Sequence, residues 1–140
     1  MLPKLRDGYP LPRCDESVGR ARTWVHISLM GDYGEDVLDS ALLIMSELAT
    51  NAVRHAAMTM TIKVICQVDN DVLTLGVLDY SRREPVMLNA EPDDEYGRGL
   101  AMVDILADEW GHEQCDMGKI VYARLKLPPP AGIMASRVCA

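Results

Sequence analysis

The chain contains no phenylalanine, and aromatic residues make up only 5% of its 140 positions. Its core must therefore be filled by Leu, Ile, Val, Ala and nine Met, adaptable side chains that pack without large anchors. No stretch approaches the roughly eighteen consecutive apolar residues of a membrane-spanning helix. The opening Met1-Leu2-Pro3-Lys4-Leu5-Arg6-Asp7 lacks the apolar run of a signal peptide. A cytoplasmic location and no membrane partner are expected. Clusters of Lys and Arg with interleaved aromatics are also missing, and a net charge of −7 repels a phosphate backbone, which excludes direct nucleic-acid binding from the expected functions. Cys14, Cys66, Cys115 and Cys139 lie far apart with no Cys-x-x-Cys pair and no His-rich companion segment. That spacing argues against zinc and for reduced, structural thiols.

What is present is ordinary for a folded domain: 49% apolar and 25% charged residues, in a length that buries about two thirds of the unfolded surface in one core. Residues 1–14 carry Pro3, Gly8, Pro10 and Pro12 and read as an extended edge segment. Residues 15–127 form the domain, and 128–140, opened by Pro128-Pro129-Pro130, a tail. Asp15 or Ser17 is expected to cap a first helix whose apolar side is Val18, Ala21, Trp24, Val25 and Leu29. A long helix follows from about Glu35 to Ala57. The period then changes to two: strands are predicted over Thr59–Asp69 and Val72–Asp79 with a turn at Asn70-Asp71, then over Glu109–Cys115 and Lys119–Leu127. Between the pairs lie a long loop, 80–96, of lid length, and a helix introduced by Gly97-Arg98-Gly99. Helices first, hairpins later and no strand-helix-strand rhythm predict an α+β fold, a two-layer sandwich of one mostly antiparallel sheet with helices on one face.

The long helix organises the rest. Leu38, Ala41, Leu42, Met45, Leu48, Ala49, Ala52, Val53 and Ala56 recur at helical spacing and define a broad apolar face. Glu47, Asn51 and His55 sit four apart outside that face and form a polar line. Such a line puts a carboxylate one turn from an amide oxygen, an arrangement suited to a divalent cation and a proton acceptor. The same spacing also describes a solvated helix edge, and His55 is read as a packed structural histidine. Further on, Asp79 closes an apolar strand, and Gly97-Arg98-Gly99 can free backbone amides at a helix N-terminus. A strand-end Asp or a Gly-x-Gly alone is more often a turn. Together with Asn51 they supply an acceptor, a metal ligand and amides, the requirements of a magnesium-nucleotide pocket.

Ser46-Glu47-Leu48-Ala49-Thr50-Asn51-Ala52-Val53-Arg54-His55-Ala56 resembles the asparagine box of the ATPase domain shared by histidine kinases, gyrase and heat-shock chaperones, the Bergerat fold. Within that superfamily the chain is most similar to the small bacterial anti-sigma-factor serine kinases. Asp79-Tyr80-Ser81 with Pro85 resembles the first glycine box, with Ser81 where many relatives have Gly. Gly97-Arg98-Gly99-Leu100-Ala101-Met102-Val103, followed by Leu106-Ala107-Asp108-Glu109-Trp110-Gly111, is similar to the second. Gly118-Lys119-Ile120-Val121-Tyr122 resembles the last strand of the pocket, with Ile120 where many relatives have a Thr beside the adenine. Glu95 stands where some relatives carry an Arg that reaches the terminal phosphate.

The resemblance implies that the protein binds ATP or ADP with Mg²⁺, that Asn51 is the metal ligand, and that Glu47 is the general base. It implies that Asp79 accepts from the adenine amino group and that Ser81, Gly97, Arg98, Gly99 and Leu100 complete the nucleotide site. The implied activity is phosphorylation of a serine or threonine on an anti-sigma antagonist protein. A sigma factor is a further implied partner, and a homodimer is among the implied assemblies. Two other classes fit the same motifs: a non-catalytic interaction module gated by nucleotide, and a detached histidine-kinase catalytic domain. The short length and the lack of a dimerising phosphohistidine helix pair argue against the last.

Overall fold

The structure is a computed structural model, described here for residues 8–55, 60–80, 95–115 and 118–128. Its elements are β1 (Tyr9–Pro12), α1 (Glu16–Leu29), α2 (Glu35–His55), β2 (Thr61–Asp69), β3 (Val72–Asp79), α3 (Glu95–Leu106), β4 (Glu109–Cys115) and β5 (Gly118–Lys126). The five strands form one sheet in the order β1-β2-β3-β5-β4, every neighbouring pair antiparallel. This is the expected α+β architecture. β1 forms one sheet edge, where Pro10 and Pro12 suit a position that need not donate on both sides. Asn70 and Asp71 carry φ of 51° and 64°, the left-handed pair that closes a two-residue hairpin between β2 and β3.

Alternation along the strands separates two apolar layers. Ile62, Val64, Leu73, Leu75, Val77, Val121 and Ala123 join the buried residues of the three helices in the main core. Ile65, Leu78 and Ile120 form a smaller cluster. These three alternate with main-core residues along their strands, which places them on the opposite sheet face. The helices therefore cover one face. α2 contributes the most to the core, burying Ala41, Ile44, Met45, Leu48, Ala49, Ala52 and Val53, with Leu38 and Leu42 packed at its margin. Tyr9 stacks on Trp24 with ring centroids 5.4 Å apart, fixing α1 to the edge strand.

Several local expectations are corrected. Asp15 stands at the N-cap of α1 but has helical φ and ψ of −59° and −36° and makes no side-chain capping bond. Ser17 lies inside the helix, fully buried, and its hydroxyl donates to the Pro12 carbonyl at 2.5 Å, so the chain enters α1 through a bond back to β1. α3 begins at Glu95, so Gly97-Arg98-Gly99 lies inside the helix near its N-terminus rather than ahead of it. Gly118 opens β5 instead of ending a turn. The expected lid lies mostly at 81–94, outside the described residues, as do Ala56, Ser81 and the tail from 129.

Cys14, Cys66 and Cys115 are free thiols. Burial pushes the Cys66 thiol up to about 12, so it holds its proton at neutral pH and is a poor nucleophile. Among the described residues no helix is long and apolar enough to cross a membrane.

Candidate functional site

The site is built where the C-terminal part of α2 meets one end of the sheet. Arg13 Nη1 donates to the Val53 carbonyl at 2.9 Å, and the Arg13 amide donates to Met60 O at 2.9 Å, one residue before β2. This ties the end of α2 to the start of β2. Lys63 of β2 is opposite Leu78, and Leu78 and Asp79 are opposite Ile120 and Lys119 of β5. The end of β3 and the start of β5 thus share one end of the sheet with Asn51, two residues before Val53.

Asn51 is buried, at 9% exposure, although it lies on the polar line of α2. Glu47 and His55, one turn to either side, are half-buried. The line therefore runs into the wall of the core rather than along a solvated edge. Asn51 Oδ1 is the buried side-chain oxygen left without a hydrogen-bond partner among the described residues. Leaving such an acceptor unsatisfied costs about 1–3 kcal/mol, so the position is unfavourable for folding and suited to a ligand. Asn51→Leu, similar in shape and without the orphan acceptor, is expected to hold or raise the melting temperature of the nucleotide-free protein. A clear fall in a thermal denaturation scan would show instead that Oδ1 is satisfied within the fold.

Asp79 is buried at the last position of β3, at 3% exposure. Its Oδ2 lies 3.9 Å from Nζ of Lys119, which is equally buried at 4%. Strand alternation fixes which way the pair faces. Val77 and Val121, two residues away on each strand, belong to the main core, whereas Leu78 and Ile120 belong to the opposite cluster. Asp79 and Lys119 therefore face the helix layer. Ile120 does not: its side chain is on the far face, so the side chain that β5 presents beside Asp79 is that of Lys119. The sequence did not single out Lys119, whose signal was positional: it precedes Ile120, and the strand register sets it opposite Asp79.

Gly118 allows this close approach. A Cβ placed there would sit 2.1 Å from the Asp79 carbonyl oxygen and 2.6 Å from the Tyr80 Cα. No side chain fits between those backbones. The backbone of Gly97, Arg98 and Gly99 is helical, near the N-terminus of α3. Leu100 is buried at 1% exposure in the main core, so its side chain supports the helix and only its backbone can serve a ligand. Trp110 Nε1 donates to Asp104 Oδ1 at 2.8 Å, holding α3 beside β4. Ser81 lies outside the described residues.

The chain belongs to the histidine kinase-like ATPase domain family, whose model matches residues 12–125. Its fold is similar to a crystal structure of the RsbU and RsbW domains of Rv1364c from Mycobacterium tuberculosis, with a TM-score of 0.59 at 18% identity. The match covers 88% of this chain and 34% of that one, so the chain spans about a third of the length of the protein it resembles. At that identity the likeness is one of fold. No curated protein matches the chain.

Proposed function

We propose that the protein is an ATP-binding serine/threonine kinase of the anti-sigma type, acting in the cytoplasm on an anti-sigma antagonist protein and also binding a sigma factor. The observation that carries the nucleotide part is the unpaired Asn51 Oδ1, buried at the same end of the sheet as the Asp79 carboxylate. Family membership and the likeness to a structure containing an RsbW domain support the kinase part.

In this reading Asp79 accepts from the adenine amino group, Gly97 offers a free backbone amide near the start of α3 to the phosphates, and Gly99, with no side chain, lets the backbone approach them. Asn51 would hold Mg²⁺, which supplies charge neutralisation of the phosphates when bound. Phosphate oxygens and water would complete the coordination, the usual arrangement when phosphates supply much of the charge. Glu47 takes the proton of the incoming serine hydroxyl as its oxygen bonds to the γ-phosphorus and ADP leaves.

Calorimetry with Mg-ATP tests the site. A hydrogen bond to a charged group contributes about 1.5–3 kcal/mol, so Asp79→Ala is expected to weaken binding roughly ten- to a hundredfold. A thermal melt of the same variant establishes that it folds. Unchanged affinity in a folded variant removes the adenine assignment.

A further inference from the structure

Asp79 and Lys119 occupy paired positions on neighbouring strands, face the same layer and are both almost fully buried. Burying two ions is costly, and a buried pair is often no more stabilising than apolar residues of the same volume. Lys119 Nζ and Asp79 Oδ2 stand 3.9 Å apart. Such a pair does have one chemical property that apolar residues lack. A carboxylate is only an acceptor and an ammonium only a donor. Side by side, they present an acceptor and a donor at the same edge of the site.

Adenine has the complementary edge, since its 6-amino group donates and the ring nitrogens on either side of it accept. Resting on the nucleotide reading above, we propose that Lys119 is a specificity-determining residue. It donates to the adenine ring nitrogen next to the amino group that Asp79 accepts, so the two strands read the base at two points. Ile120, facing away, takes no part. Lys119 thus supplies a direct contact from β5, one residue before Ile120.

Analogues lacking one ring nitrogen test the proposal on the intact protein. Wild type is expected to bind either 1-deaza-ATP or 7-deaza-ATP about tenfold or more weakly than ATP, the loss of one charge-assisted bond. The weakened analogue identifies the nitrogen. In Lys119→Met that difference should vanish, because ATP falls to the level of the analogue. In Lys119→Arg, which keeps a buried donor, part of it should return. Asp79→Asn with Lys119→Met leaves no buried charge unpaired and provides a folded background if the single variant does not fold; the analogue difference should be lost there too. If wild type binds both analogues as well as ATP, or if the difference persists undiminished in the Met variants, Lys119 is only a charge partner of Asp79 and the proposal fails. If wild type binds no ATP at all, the nucleotide reading fails, and this inference with it.

Discussion

Glu47→Gln is expected to leave nucleotide affinity nearly unchanged while lowering phosphoryl transfer by about 10²–10⁴-fold. The expectation follows from where the side chain sits. Glu47 is half-buried on α2, one helical turn before Asn51, and the amide oxygen that would hold the cation belongs to Asn51, not to Glu47. Gln keeps the size and polarity of Glu but cannot take up a proton at neutral pH. Binding measured by calorimetry and transfer measured by mass spectrometry of candidate antagonist proteins should therefore separate. If wild type holds an antagonist tightly and leaves it unphosphorylated, and the Gln variant behaves the same, the protein is a nucleotide-gated binding module and Glu47 is not a base.

Much of this arrangement was legible because it is written in local periods. The 3.6-residue repeat of α2 located its apolar face, and the alternation over Thr61–Asp69 and Val72–Asp79 gave two strands and their hairpin. Asn51, Glu47 and Asp79 carry side-chain chemistry at a recognisable spacing, and the structure brings Asn51 and Asp79 to one end of the sheet. What the local pattern could not show is register. β3 and β5 are far apart in sequence, and a shift of one residue in their pairing would exchange every side chain between the two faces. Read as a string, Lys119 and Ile120 are simply neighbours. Only the pairing of Asp79 with Lys119 and of Leu78 with Ile120 shows that the lysine faces the site. The entry into α1 was hidden for a related reason. Asp15 is a good capping residue by type, but the bond from Ser17 to Pro12 depends on β1 being docked beside the helix.

Gly118→Ala is expected to be the most disruptive small substitution in the site, even though it adds one methyl group. The Cβ would meet the Asp79 carbonyl oxygen at 2.1 Å, with the Tyr80 Cα and the Asp79 carbonyl carbon at 2.6 and 2.9 Å. All three are backbone atoms, so no rotamer change can relieve the contact. The strands themselves must part. Ordinary overpacking costs about 1–3 kcal/mol where side chains can shift, and a contact against fixed backbone lies at or above the upper end of that range. A fall in melting temperature on the order of 10 °C is the corresponding expectation for a domain of this size. Gly111 provides a control on the same sheet: its Cβ would meet the hydroxyl end of Tyr122 at 3.1 Å, and that side chain can move aside. Gly111→Ala should therefore cost much less. The loss at Gly118 should also concentrate in the site, because the displaced atoms belong to Asp79 and adjoin its partner Lys119. At temperatures where both variants remain folded, Gly118→Ala should lose nucleotide affinity and Gly111→Ala should keep it. Equal affinity in the two would mean that the backbone contact at Gly118 shapes the sheet without positioning Asp79 and Lys119 for a ligand.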